Sequence, residues 1–163
     1  MTNTKKYTFS YHEFENDSLL NAGDKLLLSK AREITAKAYA PYSDFFVGAA
    51  ASLSNKKIIT ATNQENASFP AGICAERVLL SAITSVYGEV VVDTIAISYI
   101  NRRNNKSNHP ISPCGICRQS LMEYQQRVKH PIRLILAGMN GKIVIIDDAS
   151  FLLPLNFNGD DMM

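Results

Sequence analysis

The three cysteines of this chain fall in a pattern that predicts a metal centre. Cys74 lies two residues before Glu76, and further along the chain Cys114 and Cys117 belong to a Pro-Cys-Gly-Ile-Cys segment. Thiolates are good zinc ligands, and a catalytic zinc usually has three protein ligands, so that a fourth position stays open for water. Zinc lowers the pKa of that water, and a nearby carboxylate can carry protons. The pattern therefore predicts a catalytic Zn²⁺ held by the three cysteines, with Glu76 as the general acid and base.

Two other uses of the cysteines stay open. A Cys-x-x-Cys pair is also typical of redox-active sites, where it forms a disulfide. A zinc with four protein ligands would only stabilise the fold, and here no cysteine is left to supply the fourth ligand, although a histidine could in principle do so. The chain has three histidines, His12, His109 and His130, and His109 lies five residues before Cys114.

Length and composition are those of a single globular domain. At 163 residues the chain is long enough to bury a core. It contains no apolar run of the roughly 18 to 20 residues that a membrane span needs, and because no apolar core follows its first residues we do not expect them to act as a secretory signal. Three unpaired cysteines suit a reducing compartment, so we expect a cytoplasmic protein. A net charge of +2 is too small for a nucleic-acid-binding surface, so neither nucleic acid nor a membrane is an expected partner.

The spacing of apolar residues predicts alternating strands and helices. Helical spacing occurs over about 21–39, before Pro41, and again after Cys74 and after Cys114. Strands are expected at 46–53, 57–62, 94–100, 132–137 and 143–146. Because short links join the first two strands and the last two, both pairs are predicted to be antiparallel. Residues 1–24 are interpreted as an N-terminal arm of unknown role, in which an edge strand is one possibility.

These elements predict an α/β fold in one domain over 1–163: a three-layer α/β/α sandwich with a mixed five-stranded sheet. Both cysteine segments fall at predicted helix starts, where free N–H groups and the helix dipole stabilise thiolates. Arg77 follows Glu76 directly. We expect Arg77 to hydrogen-bond a cysteine sulfur and so tune the metal, with an ordinary surface arginine as the alternative.

Five segments of the chain stand out as a set: PYSDFFVGAA at 41–50, NQENAS at 63–68, GICAER at 72–77, SPCGICRQ at 112–119 and LLPLNF at 152–157. A Cys-x-Glu element followed by Pro-Cys-x-x-Cys is a signature of zinc-dependent nucleobase deaminases. In this order the five segments resemble the small homotetrameric cytidine deaminases that have three cysteine ligands. The resemblance runs from about residue 25 to 161. It implies one Zn²⁺ per subunit of a homotetramer, and hydrolysis of cytidine and deoxycytidine to uridine and deoxyuridine, with release of ammonia, in pyrimidine salvage.

The resemblance also assigns substrate contacts residue by residue. Asn63 and Glu65 would hydrogen-bond the ribose hydroxyls, and their spacing on an extended segment puts them on one face. Phe45 would pack on the pyrimidine ring, and Ala75 would offer backbone hydrogen bonds to the base. Phe157 would reach the site of a neighbouring subunit.

Three features depart from the family pattern. Phe46 stands where the family often has proline, the loop 101–109 is longer and more polar than expected, and the arm has no counterpart. Three rival functions also remain: a deaminase of blasticidin-type antibiotics, a nucleic-acid-editing deaminase, and a non-catalytic zinc module. Editing deaminases are expected to have their last two strands parallel, so the predicted antiparallel pair argues against that function, as does the modest charge. Glu76 would have no purpose in a non-catalytic module.

Overall fold

The computed structural model describes residues 2–162, and its centre is one six-stranded mixed sheet. The strands are β1 His12–Phe14, β2 Phe45–Leu53, β3 Ile58–Thr62, β4 Val92–Asn101, β5 Arg133–Ala137 and β6 Ile143–Ile146, and the helices are α1 Ala22–Ile34, α2 Ala75–Tyr87 and α3 Gly115–Val128. The strand order is β1-β6-β5-β4-β2-β3. Only β4 and β5 run parallel, with α3 as their crossover, and the other neighbours are antiparallel. None of the helices within 2–162 is long and apolar enough to span a membrane.

Helices cover both faces of the sheet, so the predicted α/β/α layering is confirmed. The apolar side of α1, with Leu28 and Ala31, packs on Ala50 and Ala96. The opposite face carries α2 and α3, and there Ile97 belongs to the larger core cluster. Successive residues of a strand point to opposite faces, and β4 is buried on both, as its continuous apolar sequence predicts.

The prediction of five strands is wrong, because β1 adds a sixth at the sheet edge. It pairs antiparallel with β6, in the register His12↔Ile145. Phe14 packs on the α1 core, and Lys142 binds Glu13 at 2.6 Å. Part of the N-terminal arm is therefore the edge strand that the sequence left as a possibility. The helix α1 starts at Ala22, inside the range assigned to the arm, where Asn21 caps its first turn.

The first helix is shorter than predicted. It ends at Ile34, and a single 3₁₀ turn over Thr35–Lys37 follows. The chain then extends, because Tyr39 exchanges backbone hydrogen bonds with the stretch after β3: its N–H donates to Asn63 O at 3.2 Å, and its carbonyl accepts from Glu65 N at 2.8 Å. This pairing brings two sequence-predicted site residues beside the start of β2.

A methyl group at Gly48 is expected to destabilise the fold, because β2 and α1 touch there. A Cβ at this position would overlap the carbonyl oxygen of Ala31 and lie 2.8 Å from Cγ2 of Ile34. Since the obstacle is backbone, α1 would have to move away from the sheet. Gly48→Ala should lower the free energy of unfolding by about 1–3 kcal/mol or more, measured by chemical denaturation.

Gly159→Ala is the matched control, because a Cβ there meets nothing within 4 Å. It should change the free energy of unfolding by less than about 0.5 kcal/mol. Equal stability of the two variants would contradict the close approach of α1 to β2.

Candidate metal centre and substrate site

The three cysteine sulfurs meet where α2 and α3 begin. Cys74 and Cys114 each occupy the residue directly before a helix, in extended conformation, and Cys117 lies in the first turn of α3. The Sγ atoms of Cys74 and Cys114 are 3.8 Å apart, and those of Cys114 and Cys117 are 3.4 Å apart. All three sulfurs lie within 4.8 Å of one another. The sequence prediction that both segments open helices is thus confirmed.

This donor set fits a zinc ion. Thiolates bound tetrahedrally at about 2.3 Å lie about 3.8 Å apart, close to the observed separations. Within residues 2–162 the three cysteines form the one group of three potential metal ligands, and all are free thiols. Helix N-termini add a partial positive charge that favours thiolates.

None of the histidines joins the cluster as a fourth ligand. The ring of His109 contacts the hydroxyl of Tyr99 at 3.1 Å. His12 and His130 lie beside the carboxylates of Asp147 and Asp93. Within residues 2–162 no fourth ligand therefore completes a structural zinc site, which was the alternative that the sequence allowed.

The electrostatics of the sulfurs also call for a cation. A hydrogen bond from the Cys117 thiol is the main cause that lowers the pKa of Cys74 to about 6. The same interaction, together with burial and the charge of Glu76, raises the pKa of Cys117. Three thiols this close cannot all lose their protons unless a positive charge compensates them, and a divalent metal supplies that charge.

Glu76 lies beside the sulfurs in the first turn of α2, and its side chain is buried, with 5% of the residue exposed. Burial raises the pKa of Glu76, and hydrogen bonds to its own backbone and to Cys117 oppose this rise. A buried carboxyl group next to a metal site can hold a proton and pass it on. Ala75, the first residue of α2, is fully buried next to it.

Arg77 does not donate a hydrogen bond to a sulfur among the bonds of the described residues. Hydrogen bonds from Cys117 and Cys114 lower the pKa of Cys74, and the positive charge of Arg77 lowers it by a smaller amount. Its side chain lines a cleft of about 490 Å³ between α2 and α3, together with Tyr124 and Arg127. The role of Arg77 in tuning the metal stays a prediction.

Asn63 and Glu65 both fasten the backbone around Phe45. The amide of Asn63 accepts from Val47 N at 2.7 Å and donates to Phe45 O at 2.9 Å. Glu65 accepts from the N–H groups of Tyr42 and Ser43 through one oxygen, Oε2. Burial tends to raise the pKa of Glu65, but hydrogen bonding by the Ser43 side chain, then by the backbone of Tyr42 and Ser43, and the charge of Arg103 outweigh it and hold the pKa below its usual value, so that the carboxylate is charged.

The two predicted aromatic contacts lie in different surroundings. Phe45, at the start of β2, is half-buried, and its ring stacks on Tyr99, with centroids 4.9 Å apart and planes 20° from parallel. Phe157, near the C-terminus, is 59% exposed, while its carbonyl accepts from Nε2 of Gln119 at 2.9 Å. The structure therefore groups Phe45 with Asn63 and leaves the ring of Phe157 at the surface of the single chain.

Arg118, which the sequence did not single out, hydrogen-bonds two segments beside the cysteines. Its Nε donates to Pro113 O at 2.9 Å, and its Nη1 donates to Leu152 O at 3.1 Å. Arg118 thereby fixes both the residue before Cys114 and the C-terminal segment. Its place in the SPCGICRQ segment was the available signal.

Comparison with known proteins places this chain in a family. A family model described as "Cytidine and deoxycytidylate deaminase zinc-binding region" matches residues 22–130. A cytidine deaminase of Halalkalibacterium halodurans is 34% identical over 138 residues, 85% of this chain and 96% of that protein. A relative named blasticidin-S deaminase, from Bacillus cereus, is 32% identical over 115 residues, 68% of this chain and 76% of that relative.

A solved structure agrees with the sequence relatives. The crystal structure of cytidine deaminase from Burkholderia pseudomallei is 36% identical, has a TM-score of 0.68, and covers 81% of this chain and 97% of that chain. The region matched by the family model contains the three clustered cysteines and Glu76. The chain therefore belongs to the cytidine and deoxycytidylate deaminase family and contains its zinc-binding region.

Proposed function

We propose that this protein hydrolyses cytidine and deoxycytidine to uridine and deoxyuridine with release of ammonia, in cytoplasmic pyrimidine salvage. The observation that carries this proposal is the buried carboxyl group of Glu76 beside three thiols whose spacing fits zinc. Bound zinc, with Cys74, Cys114 and Cys117 as its ligands, would supply an activated water as the nucleophile.

Glu76 moves the protons in the proposed reaction. It takes a proton from the attacking water and delivers it to N3 of the base as the new C4–O bond forms. It then takes the second proton of that water and delivers it to the amino nitrogen as the C4–N bond breaks. Water and cytidine are thereby converted into uridine and ammonia, with every proton accounted for. A group placed in this way contributes about 10²- to 10⁴-fold to the rate.

The residues around Phe45 orient the nucleoside in this proposal. The exposed part of the Phe45 ring packs on the pyrimidine, and the backbone at Ala75 hydrogen-bonds the base. Each polar atom of the Asn63 amide has one protein partner, and an amide can make four hydrogen bonds, so that capacity remains for a ribose hydroxyl. The bonds from Tyr42 and Ser43 use only Oε2 of Glu65, and its other oxygen can accept from the ribose.

A homotetramer is part of the proposal, with Phe157 entering a neighbouring subunit's site. Its support is the exposure of large apolar side chains on the C-terminal segment of the single chain. Phe157 is 59% exposed, and Leu155 is fully exposed. Apolar groups that are exposed together often mark an interface. Arg77 completes the proposed site as the cation beside the cysteine sulfurs.

Glu65→Gln should lower kcat/KM for cytidine by about 10- to 100-fold, because a hydrogen bond to a charged acceptor is lost. The measurement compares cytidine with 2′,3′-dideoxycytidine, which has no ribose hydroxyl at those two positions. The dideoxy substrate should lose much less on the same substitution. An equal loss on both substrates would show that Glu65 only supports the backbone of Tyr42 and Ser43.

The substrate class is tested by following the loss of the amino group in cytidine, deoxycytidine and blasticidin S. Turnover of the two nucleosides, abolished by a chelator, is the expected result. Turnover of blasticidin S alone would move the protein to the function named for its Bacillus cereus relative. Zinc-loaded protein without turnover of any of the three would favour a non-catalytic zinc module.

A further inference from the structure

Tyr99 and His109 stand behind Phe45 as a second layer of aromatic side chains. The Tyr99 ring stacks on Phe45, 4.9 Å between centroids and 20° from parallel. The His109 ring meets Tyr99 edge-on, with centroids 5.7 Å apart, and its nitrogens lie 3.1 and 3.3 Å from the Tyr99 hydroxyl. Neither residue belongs to a segment that carries the family resemblance.

Tyr99 is a rigid support for the Phe45 ring. It lies near the end of the central strand β4, and 1% of it is exposed. Burial raises the pKa of Tyr99, so that its hydroxyl stays protonated and can donate to the His109 ring. Phe45 is only half-buried, since one of its faces is covered by Tyr99.

Hydrogen bonds anchor the loop 101–109, which carries His109, to the neighbouring segments. Ser107 O accepts from Met139 N at 2.6 Å, and Ser107 Oγ accepts from Asn101 N at 3.0 Å. Arg103 Nη2 donates to Tyr42 O at 3.0 Å, three residues before Phe45. This loop therefore places His109 beside Tyr99 and hydrogen-bonds the segment before β2 through Arg103.

We propose that Tyr99 and His109 are positioning residues that fix the plane of the Phe45 ring, and through it the plane of the pyrimidine. The inference rests on the proposed function, since it takes Phe45 as the contact of the base. His109 acts through the Tyr99 hydroxyl, and Tyr99 acts through ring stacking. Neither residue exchanges protons with the substrate, so their effect falls on binding rather than on the chemical step.

The test uses Tyr99→Phe, His109→Phe and the double variant, because phenylalanine at 109 keeps a ring edge-on to Tyr99 and removes only the nitrogens that meet the hydroxyl. Loss of one hydrogen bond of ordinary strength should raise KM for cytidine about 2- to 10-fold in each single variant, with kcat within about 2-fold. The double variant should equal the single ones, because both substitutions break the same link. The dissociation constant of uridine, measured by calorimetry, should rise by the same factor as KM.

Tyr124→Phe is the matched control. Tyr124 is a buried tyrosine whose hydroxyl donates to Val90 O at 2.7 Å, and it takes no part in the stack of Phe45, Tyr99 and His109. This variant should lose thermal stability and keep its KM. Tyr99 and His109 variants that lose stability while KM and uridine binding stay unchanged would overturn the proposal, and so would additive effects in the double variant.

A failure of the proposed deaminase reaction can be distinguished from a failure of the positioning role of Tyr99 and His109. An unsubstituted protein that binds zinc and uridine without turning over cytidine contradicts the deaminase reaction. The uridine dissociation constants of the same variants then still decide whether Tyr99 and His109 position the ring. Absence of uridine binding overturns both proposals.

Discussion

Glu76→Gln is expected to lower kcat for cytidine by about 10²- to 10⁴-fold, while the protein keeps its fold and its zinc. Glutamine has nearly the shape of glutamate and can still accept a hydrogen bond, but it cannot carry a proton. Because only 5% of Glu76 is exposed, solvent cannot easily replace it as the proton carrier. The measurement is the rate of uridine formation, with zinc per chain determined on the same samples.

Glu33→Gln is the control for this loss of charge. Glu33 lies on α1, exposed and paired with Lys30 at 2.9 Å, on the other side of the sheet from the cysteines. It should retain full turnover. A Glu76→Gln protein with full zinc and a rate within about tenfold of the unsubstituted enzyme would contradict the proton-transfer role.

Cys117→Ala is expected to abolish both zinc binding and turnover. Cys117 is fully buried in the first turn of α3, and removing its sulfur leaves two of the three clustered thiols. Loss of a ligand should cost more than the roughly 10- to 100-fold in affinity that loss of an outer partner costs. Since zinc binds the folded state, its loss should also lower the melting temperature.

Zinc content after dialysis, measured by plasma mass spectrometry, checks this prediction. Ser112→Ala is the control, because Ser112 is exposed two residues before Cys114 and carries no metal ligand. It should hold one zinc per chain. A Cys117→Ala protein with the zinc content and turnover of this control would exclude Cys117 as a ligand.

Local sequence patterns predicted most of the fold and the metal residues. The apolar runs of β4 and β5 and the Asn140-Gly141 turn identified the central strands and the antiparallel β6. Cys74 and Cys114 were placed at helix starts because residue type, spacing and periodicity all agreed.

The parts that the sequence did not predict depend on contacts between distant segments. The strand β1 consists of His12–Phe14, and a single half-buried Phe14 produces no apolar alternation. Its pairing depends on β6, more than 100 residues away. Tyr99 lies within an apolar strand and resembles any core residue, until the pairing Val47↔Tyr99 brings it beside Phe45.

The most direct test of the account is ammonia release from cytidine by the purified protein before metal removal, after it, and after zinc is restored. Glu76 and the cysteine cluster together predict turnover that disappears with the metal and returns when about one equivalent of zinc is added. Turnover that survives complete removal of the metal would contradict the account. So would zinc-loaded protein that releases no ammonia from cytidine.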